Sequence, residues 1–363
     1  MVQHTRPPYQ GTGPVLSVYL RLDVSPDGHG REIPLRWRAL RTSLGAQGAS
    51  ESQLREVDEV IRNAQPSGRT LAAFAHDERL EAEELEDFAA GDTAVLGPLP
   101  VAVPLLRWRQ QWVPYVVAQV DRTGADLAAY LGAGPPVAEK VVTGPDDEIE
   151  RNAPGGWAGL AQGRYQHRAE DSWAHNAAEV ARQVARLAAE VEARLIITAG
   201  DVRTVQELTD HLPEPLRRLQ EHVTSGLEQP TPGRVRVRHE TVRELVHRAA
   251  SRARAEVVAE VENASGGARL ATGLPACAEA LRTGAVRQLL LVDQPSDDRW
   301  GWAWADPLQV ATEDVPPQDT VAAQRAPLRE VLVRAAFAQS ADVTVVGPDE
   351  TDVPDGVAAL VRF

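Results

Sequence analysis

From Trp173 the apolar residues recur at Ala177, Val180, Val184, Leu187 and Val191, in alternating steps of four and three. That spacing puts them on one stripe of a helix and predicts a helix over residues 164–192. About 28 residues at ~1.5 Å each give a stalk on the order of 40 Å. Other stretches follow different periods. Short β-rich runs at 15–20, 70–75 and 93–96 read as strands, with helices predicted over 35–44 and 51–63, the second capped by Ser50. Pro98, Pro100 and Pro104 then break regular structure, as a domain edge does.

Runs 112–120 and 126–131 flank the polar turn Asp121-Arg122-Thr123-Gly124, which predicts a β-hairpin, and 137–142 reads as a third strand. After the long helix come a short buried strand at 195–198 and a helix at 202–211. Gln229-Pro230-Thr231-Pro232-Gly233 reads as a linker. Val242, Val246, Ala249, Ala253 and Val257 share a helical face within 240–263, and 274–282 is a helix closed by Gly284. Strands are expected at 288–292, 343–346 and 357–363, and a helix at 320–339. Trp300-Gly301-Trp302-Ala303-Trp304 alternates as a strand with one aromatic face, which either fills a core or docks a protein. The pattern divides into an α/β domain at 1–110, a central domain at 111–234 and an α/β domain at 235–363.

Length supports the division, since 363 residues exceed one ordinary core. No apolar run approaches the ~20 residues of a membrane span, and the polar start of the chain has no signal-peptide core, so a cytoplasmic location is expected. The single cysteine, Cys277, excludes an internal disulfide and lies on an apolar helix, where it reads as core. The scattered histidines have no metal-site spacing, so neither a metal nor a cofactor is expected. A net charge of −14 disfavours nonspecific nucleic-acid binding but permits a local basic surface. Lys140 is the only lysine; every other basic residue except histidine is arginine.

No phosphate-binding P-loop, nucleophile elbow or His-Glu-x-x-His pair occurs. Gly132-Ala133-Gly134 runs into Pro135-Pro136, which lack backbone donors, so it reads as a turn. The stretch from Gly155 to Arg168 is different. Gly155-Gly156 is followed by Trp157, then by Gln162, Arg164, Tyr165, Gln166, His167 and Arg168, with Arg151 just ahead. Arginines at a helix N-terminus oppose its dipole, and phosphate neutralisation is a reason for them to be there. Trp157 suits base stacking, which contributes ~1–3 kcal/mol per base. The bland alternative is a surface loop with a solvated first helical turn. Two smaller clusters, Arg36-Trp37-Arg38 with Arg41 and Arg107-Trp108-Arg109, fit half-buried helix or edge residues better than RNA contacts.

The segment Gly155-Gly156-Trp157 through Gly163-Arg164-Tyr165-Gln166-His167-Arg168-Ala169-Glu170-Asp171-Ser172-Trp173 resembles the central motif of the archaeo-eukaryotic class-I release factor and Pelota family. The likeness is to its bacterial branch of peptidyl-tRNA hydrolase-like and Balon-type hibernation factors. Ala280-Leu281-Arg282-Thr283-Gly284-Ala285-Val286-Arg287-Gln288-Leu289-Leu290-Leu291 is similar to the family's C-domain pattern, as are 342–346 and 357–363. The resemblance implies a three-domain α/β architecture with mixed sheets. It implies a monomer that occupies the ribosomal A site against rRNA, with the central loop directed to the peptidyl-transferase centre. Further partners implied are elongation factor Tu or another translational GTPase, reached through Trp300, Trp302 and Trp304, and tRNA; no membrane is involved. Release factors carry Gly-Gly-Gln, whereas this chain has Trp157 after the glycines. Indole has one N–H donor and no acceptor, so ribosome binding without hydrolysis is the first expectation. The alternatives are a peptidyl-tRNA hydrolase using the amide of Gln162 or Gln166, and an acidic protein-interaction module without ribosome contact.

Overall fold

The computed structural model describes residues 13–23, 32–76, 79–88, 91–121, 124–143, 161–224, 227–231, 234–267, 269–294, 297–312 and 323–362, with backbone alone for 161–175 and 227–236. The fold is mixed α/β with several sheets. Two compact units emerge, one from Gln111–Arg252 and the other from Thr5–Gln110 with Ala253–Phe363.

The first part of the discontinuous unit holds β1 (Val15–Arg21), α1 (Glu32–Ala46), α2 (Glu51–Asn63), β2 (Thr70–His76), β3 (Arg79–Leu85), β4 (Thr93–Gly97) and α3 (Val103–Arg109). Its antiparallel sheet has the order β3-β2-β1-β4. Leu16, Val18 and Leu20 of β1 face Ile33, Trp37 and Leu44 of α1 and Leu54, Val57 and Ile61 of α2. Ser50 and Gln53 form a reciprocal capping box that starts α2. On the other face Tyr19 stacks on Phe88 at 5.2 Å and donates its hydroxyl to the carbonyl of Val101 at 2.8 Å. Burial pushes that phenol well above its usual range. The proline-rich sequence predicts a break at 98–104, yet α3 starts there. Pro104 sits in its first turn, where a missing N–H costs no helical hydrogen bond.

The central unit contains β5 (Tyr115–Val120), β6 (Gly124–Tyr130), β7 (Ala138–Thr143), α4 (Ala161–Glu190), β8 (Leu195–Ala199), α5 (Val202–His211), α6 (Glu214–Arg217), β9 (Gln220–Val223), β10 (Leu227–Thr231) and β11 (Arg234–Val237), with the start of α7 (His239–Asn263). The mixed sheet has the order β7-β6-β5-β8-β9, antiparallel from β7 to β5 and parallel from β5 to β9. β5 and β6 pair antiparallel as the sequence predicts, with the N–H of Gly124 donating to Asp121 Oδ1 at 3.0 Å; on its other side Gly124 lies against β7, where a Cβ would be 1.8 Å from the carbonyl oxygen of Val142. One face of the sheet is covered by α4 and α5, the other by Val242, Val246 and Ala250 of α7. Of the expected linker, residues 229–231 instead belong to β10, which pairs antiparallel with β11 through a register shift between Glu228 and Thr231, while 232 and 233 lie outside the described residues.

The remaining elements are β12 (Leu270–Thr272), α8 (Leu274–Arg282), β13 (Val286–Val292), β14 (Trp300–Ala303), β15 (Val310–Thr312), β16 (Gln324–Pro327), α9 (Leu328–Ala338), β17 (Asp342–Val346) and β18 (Val357–Val361). β12-β18-β13-β17 form a mixed sheet, and β15-β14-β16 a separate antiparallel one. Leu99, Val103 and Leu106 pack into the same core as Leu289, Leu332 and Val345. The helix expected over 320–339 begins only at Leu328. Pro327 lacks the N–H a continuing helix needs and ends β16 instead.

Candidate functional site

Arg151, Gly155, Gly156 and Trp157 lie outside the described residues. Gln162, Arg164, Tyr165, Gln166, His167 and Arg168 fall on the helical backbone of α4, and their side chains also lie outside the described set. The structure therefore defines what anchors this segment. α4 is a continuous helix of 30 residues, about 45 Å long at ~1.5 Å per residue. Ala177, Val180, Ala181, Val184, Leu187 and Ala188 are buried against β5, β6 and α5. Burial of each Val or Leu contributes roughly 1.5–3 kcal/mol, so the C-terminal half of α4 is firmly seated.

The only lysine contributes to that seat. Lys140 on β7 donates to Gln183 Oε1 at 2.8 Å, and Gln183 donates in turn to Glu179 Oε1 at 2.7 Å. The Gln183 hydrogen bond and the adjacent Arg182 hold the Glu179 carboxyl below its usual range. Thus an edge strand grips the helix through a polar chain as well as through the core.

The two smaller basic-aromatic clusters are internal struts. Arg36 donates to the carbonyls of Arg21 and Asp23 at 2.7 and 2.8 Å and pairs with Asp92 at 3.2 Å. Trp37 is buried and donates to Asp58 at 2.6 Å, and Arg41 pairs with Asp58 and Glu51, while Arg38 is exposed. Trp108, likewise buried, donates to the carbonyl of Glu86 at 2.7 Å. Arg107 and Arg109 pair with Asp293 and Glu83 at 3.1 and 2.7 Å. Cys277 is also structural: it is buried, its thiol pushed up to about 12 by desolvation and then by the charge of Asp355.

The tryptophan strand turns its aromatic side away from the core. Gly301 and Ala303 face inward, where Ala303 joins Ala326, Leu328 and Val310. A Cβ on Gly301 would lie 2.8 Å from Leu328 Cδ1 and 2.9 Å from the carbonyl oxygen of Ala311. Trp300 is 39 % exposed, and Trp302 and Trp304 are half-buried, so the core-filling reading does not hold for Trp300. Arg325 of β16 lies over the Trp300 ring at 5.0 Å from its centroid, a cation–π geometry. The sequence pattern predicts a helix over this segment and so gives no sign of the Arg325–Trp300 pair; Pro327 is the signal against that helix.

Among the described residues no group of His, Cys, Asp or Glu could hold a metal ion, and no helix is long and apolar enough to cross a membrane. Two uncharacterised Mycobacterium tuberculosis proteins, Rv2629 of strain H37Rv and MT2704 of strain CDC 1551, are each 28% identical to this chain over 342 residues, covering 90% of it and 87% of theirs. Among solved structures, ribosome-bound archaeal Pelota aligns at 15% identity and a TM-score of 0.41, covering 98% of this chain and 91% of Pelota. Dom34 of S. cerevisiae aligns at 10% identity and 0.41, covering 84% and 82%. Residues 114–267, which include the Gly155-Gly156-Trp157 segment, all of α4 and all of α7, match the family model of bacterial archaeo-eukaryotic release factor family 2, and in that region the chain is release factor-like.

Proposed function

We propose that this protein is a ribosome-binding translation factor that occupies the A site and directs its Gly155-Gly156-Trp157 loop to the peptidyl-transferase centre. The observation that carries the reading is the release-factor match over 114–267, which contains the loop and its helical stalk. Arg151, Arg164 and Arg168 supply cations for rRNA phosphates, in a chain whose net charge of −14 would otherwise repel RNA. Tyr165, Gln166 and His167 add stacking and hydrogen-bonding groups beside them. Trp157 stands where release factors carry glutamine, and indole has no acceptor with which to orient water. The protein thus acts as a hibernation factor that holds idle ribosomes instead of releasing peptide. The Trp300, Trp302 and Trp304 face serves a protein partner, with a translational GTPase such as elongation factor Tu the one this role needs.

A second reading, peptide release by peptidyl-tRNA hydrolysis, is favoured by the release-factor character of the matched family and would use Gln162 or Gln166. A cryo-EM map of ribosomes mixed with the protein tests the proposal. Density for the central unit in the A site with Trp157 at the peptidyl-transferase centre is expected; density elsewhere on the ribosome, or none, would overturn it.

A further inference from the structure

We infer that Gln110 and Arg254 form a clasp on whose hydrogen bonds the stability of both parts of the discontinuous unit depends, the first ending at Gln110 and the second beginning at Ala253, so that its loss destabilises the two together. β17 is an edge strand with one side of its backbone unpaired by any strand of its sheet. Gln110 occupies that side with its side-chain amide: Nε2 donates to the carbonyl of Val343 at 2.7 Å, and Oε1 accepts from the N–H of Val345 at 2.8 Å. The amide thereby takes the place of a neighbouring strand's peptide group, and an exposed edge is closed by one residue. The backbone carbonyl of the same residue accepts from Arg254 Nη1 at 2.8 Å. Arg254 also reaches Glu350 Oε2 at 3.5 Å, and Glu350 Oε1 accepts from the N–H of Gly347 at 2.7 Å, just past the end of β17.

The contacts continue on the other side of Gln110. It follows α3 directly, and Trp108 and Arg109 of that helix hold Glu86 and Glu83 at the end of the first sheet. A continuous path of hydrogen bonds therefore runs from β17 through Gln110 and α3 to β3. The points where the chain leaves this unit, after Gln110, and re-enters it, at Ala253, are held side by side by the Arg254 bond. Sequence alone separates these residues by 144 positions, and neither Gln110 nor Arg254 belongs to any motif.

Hydrogen exchange read by mass spectrometry on the full chain tests the clasp, comparing Gln110→Ala and Arg254→Ala with the unaltered protein. Exchange in β17 and in the distant strands β1 and β2 should rise together by a common factor, roughly tenfold or more, while β5 and β8 of the central unit stay unchanged. A rise confined to β17, with β1 and β2 as protected as before, would overturn the inference and leave Gln110 a local edge cover. Should either alanine variant fail to fold, Gln110→Glu and Arg254→Lys replace them. The first keeps the acceptor for Val345 and loses the donor to Val343, and should reproduce the joint rise. The second keeps the donor and charge, and should show little of it; the reverse pattern counts against the clasp.

Discussion

The carboxylate of Glu330 accepts a hydrogen bond from the backbone N–H of Val103 at 3.2 Å, across 227 positions of sequence. Both residues are fully buried. Ala102, the residue before α3, offers no side-chain cap, so a carboxylate from α9 satisfies one of the N–H groups that every helix start leaves open. Glu330→Ala strands that donor in the core and should lower stability by about 1–3 kcal/mol, read as an earlier urea midpoint. Glu330→Gln keeps an acceptor and should cost less. Equal stability of Glu330→Ala and the parent would show that the cap contributes nothing.

Cys277 should behave as an inert core residue. Its thiol is pushed up to about 12, chiefly by burial, so the folded state prefers the protonated form. The stability this contributes is complete below the ordinary thiol value and is lost as pH rises toward 12. A thiol reagent at pH 8 should therefore modify the denatured protein rapidly and the native protein hardly at all. Equal rates would contradict the assignment.

Trp300→Ala should fold, because the side chain lies outside the core and loses mainly its contact with Arg325. A stability change within about 1 kcal/mol is expected. Gly301→Val, by contrast, pushes a side chain against Leu328 and the Ala311 carbonyl and should destabilise far more. Thermal melts of the two variants compare them directly, and a larger loss for Trp300→Ala would return the tryptophans to the core.

The elements legible in the sequence were those whose neighbours are local. The 4-3 spacing from Trp173 to Val191 gave α4, Ser50 gave the start of α2, and Asp121-Arg122-Thr123-Gly124 gave the β5–β6 pairing. What escaped depended on distant partners. α3 is held by Glu330 and by a core built mostly from residues after 276, which no local pattern announces. Thr231 reads as part of a Pro/Gly-rich linker because its pairing with Arg234 of β11 is set by register, not composition. Arg325 was hidden because its relation to Trp300 exists only once β14 and β16 pair. For the segment at 155–168, whose residues from Ala161 are helical, the reading still stands on residue chemistry and on the family match, while the structure supplies its anchor in α4.

Replacement of Trp157 separates holding from hydrolysis. The parent protein should release little or no peptide from ribosome–nascent-chain complexes, and Trp157→Gln, which restores an amide after Gly155-Gly156, should raise release measurably. Robust multiple-turnover release by the parent would establish the hydrolase reading instead. In that event Gln162→Ala or Gln166→Ala should identify the amide that positions water.

Ribosome binding is proposed to rest on the loop at 155–157 and the first turns of α4. Co-sedimentation with purified ribosomes across a salt series tests it, comparing the parent with Arg164→Glu combined with Arg168→Glu. The parent should bind at low salt and dissociate as salt rises, since each phosphate contact releases counterions, and the double variant should bind roughly tenfold or more weakly with a shallower salt slope. Binding by the variant that matches the parent at every salt concentration would show that Arg164 and Arg168 do not contact ribosomal phosphate.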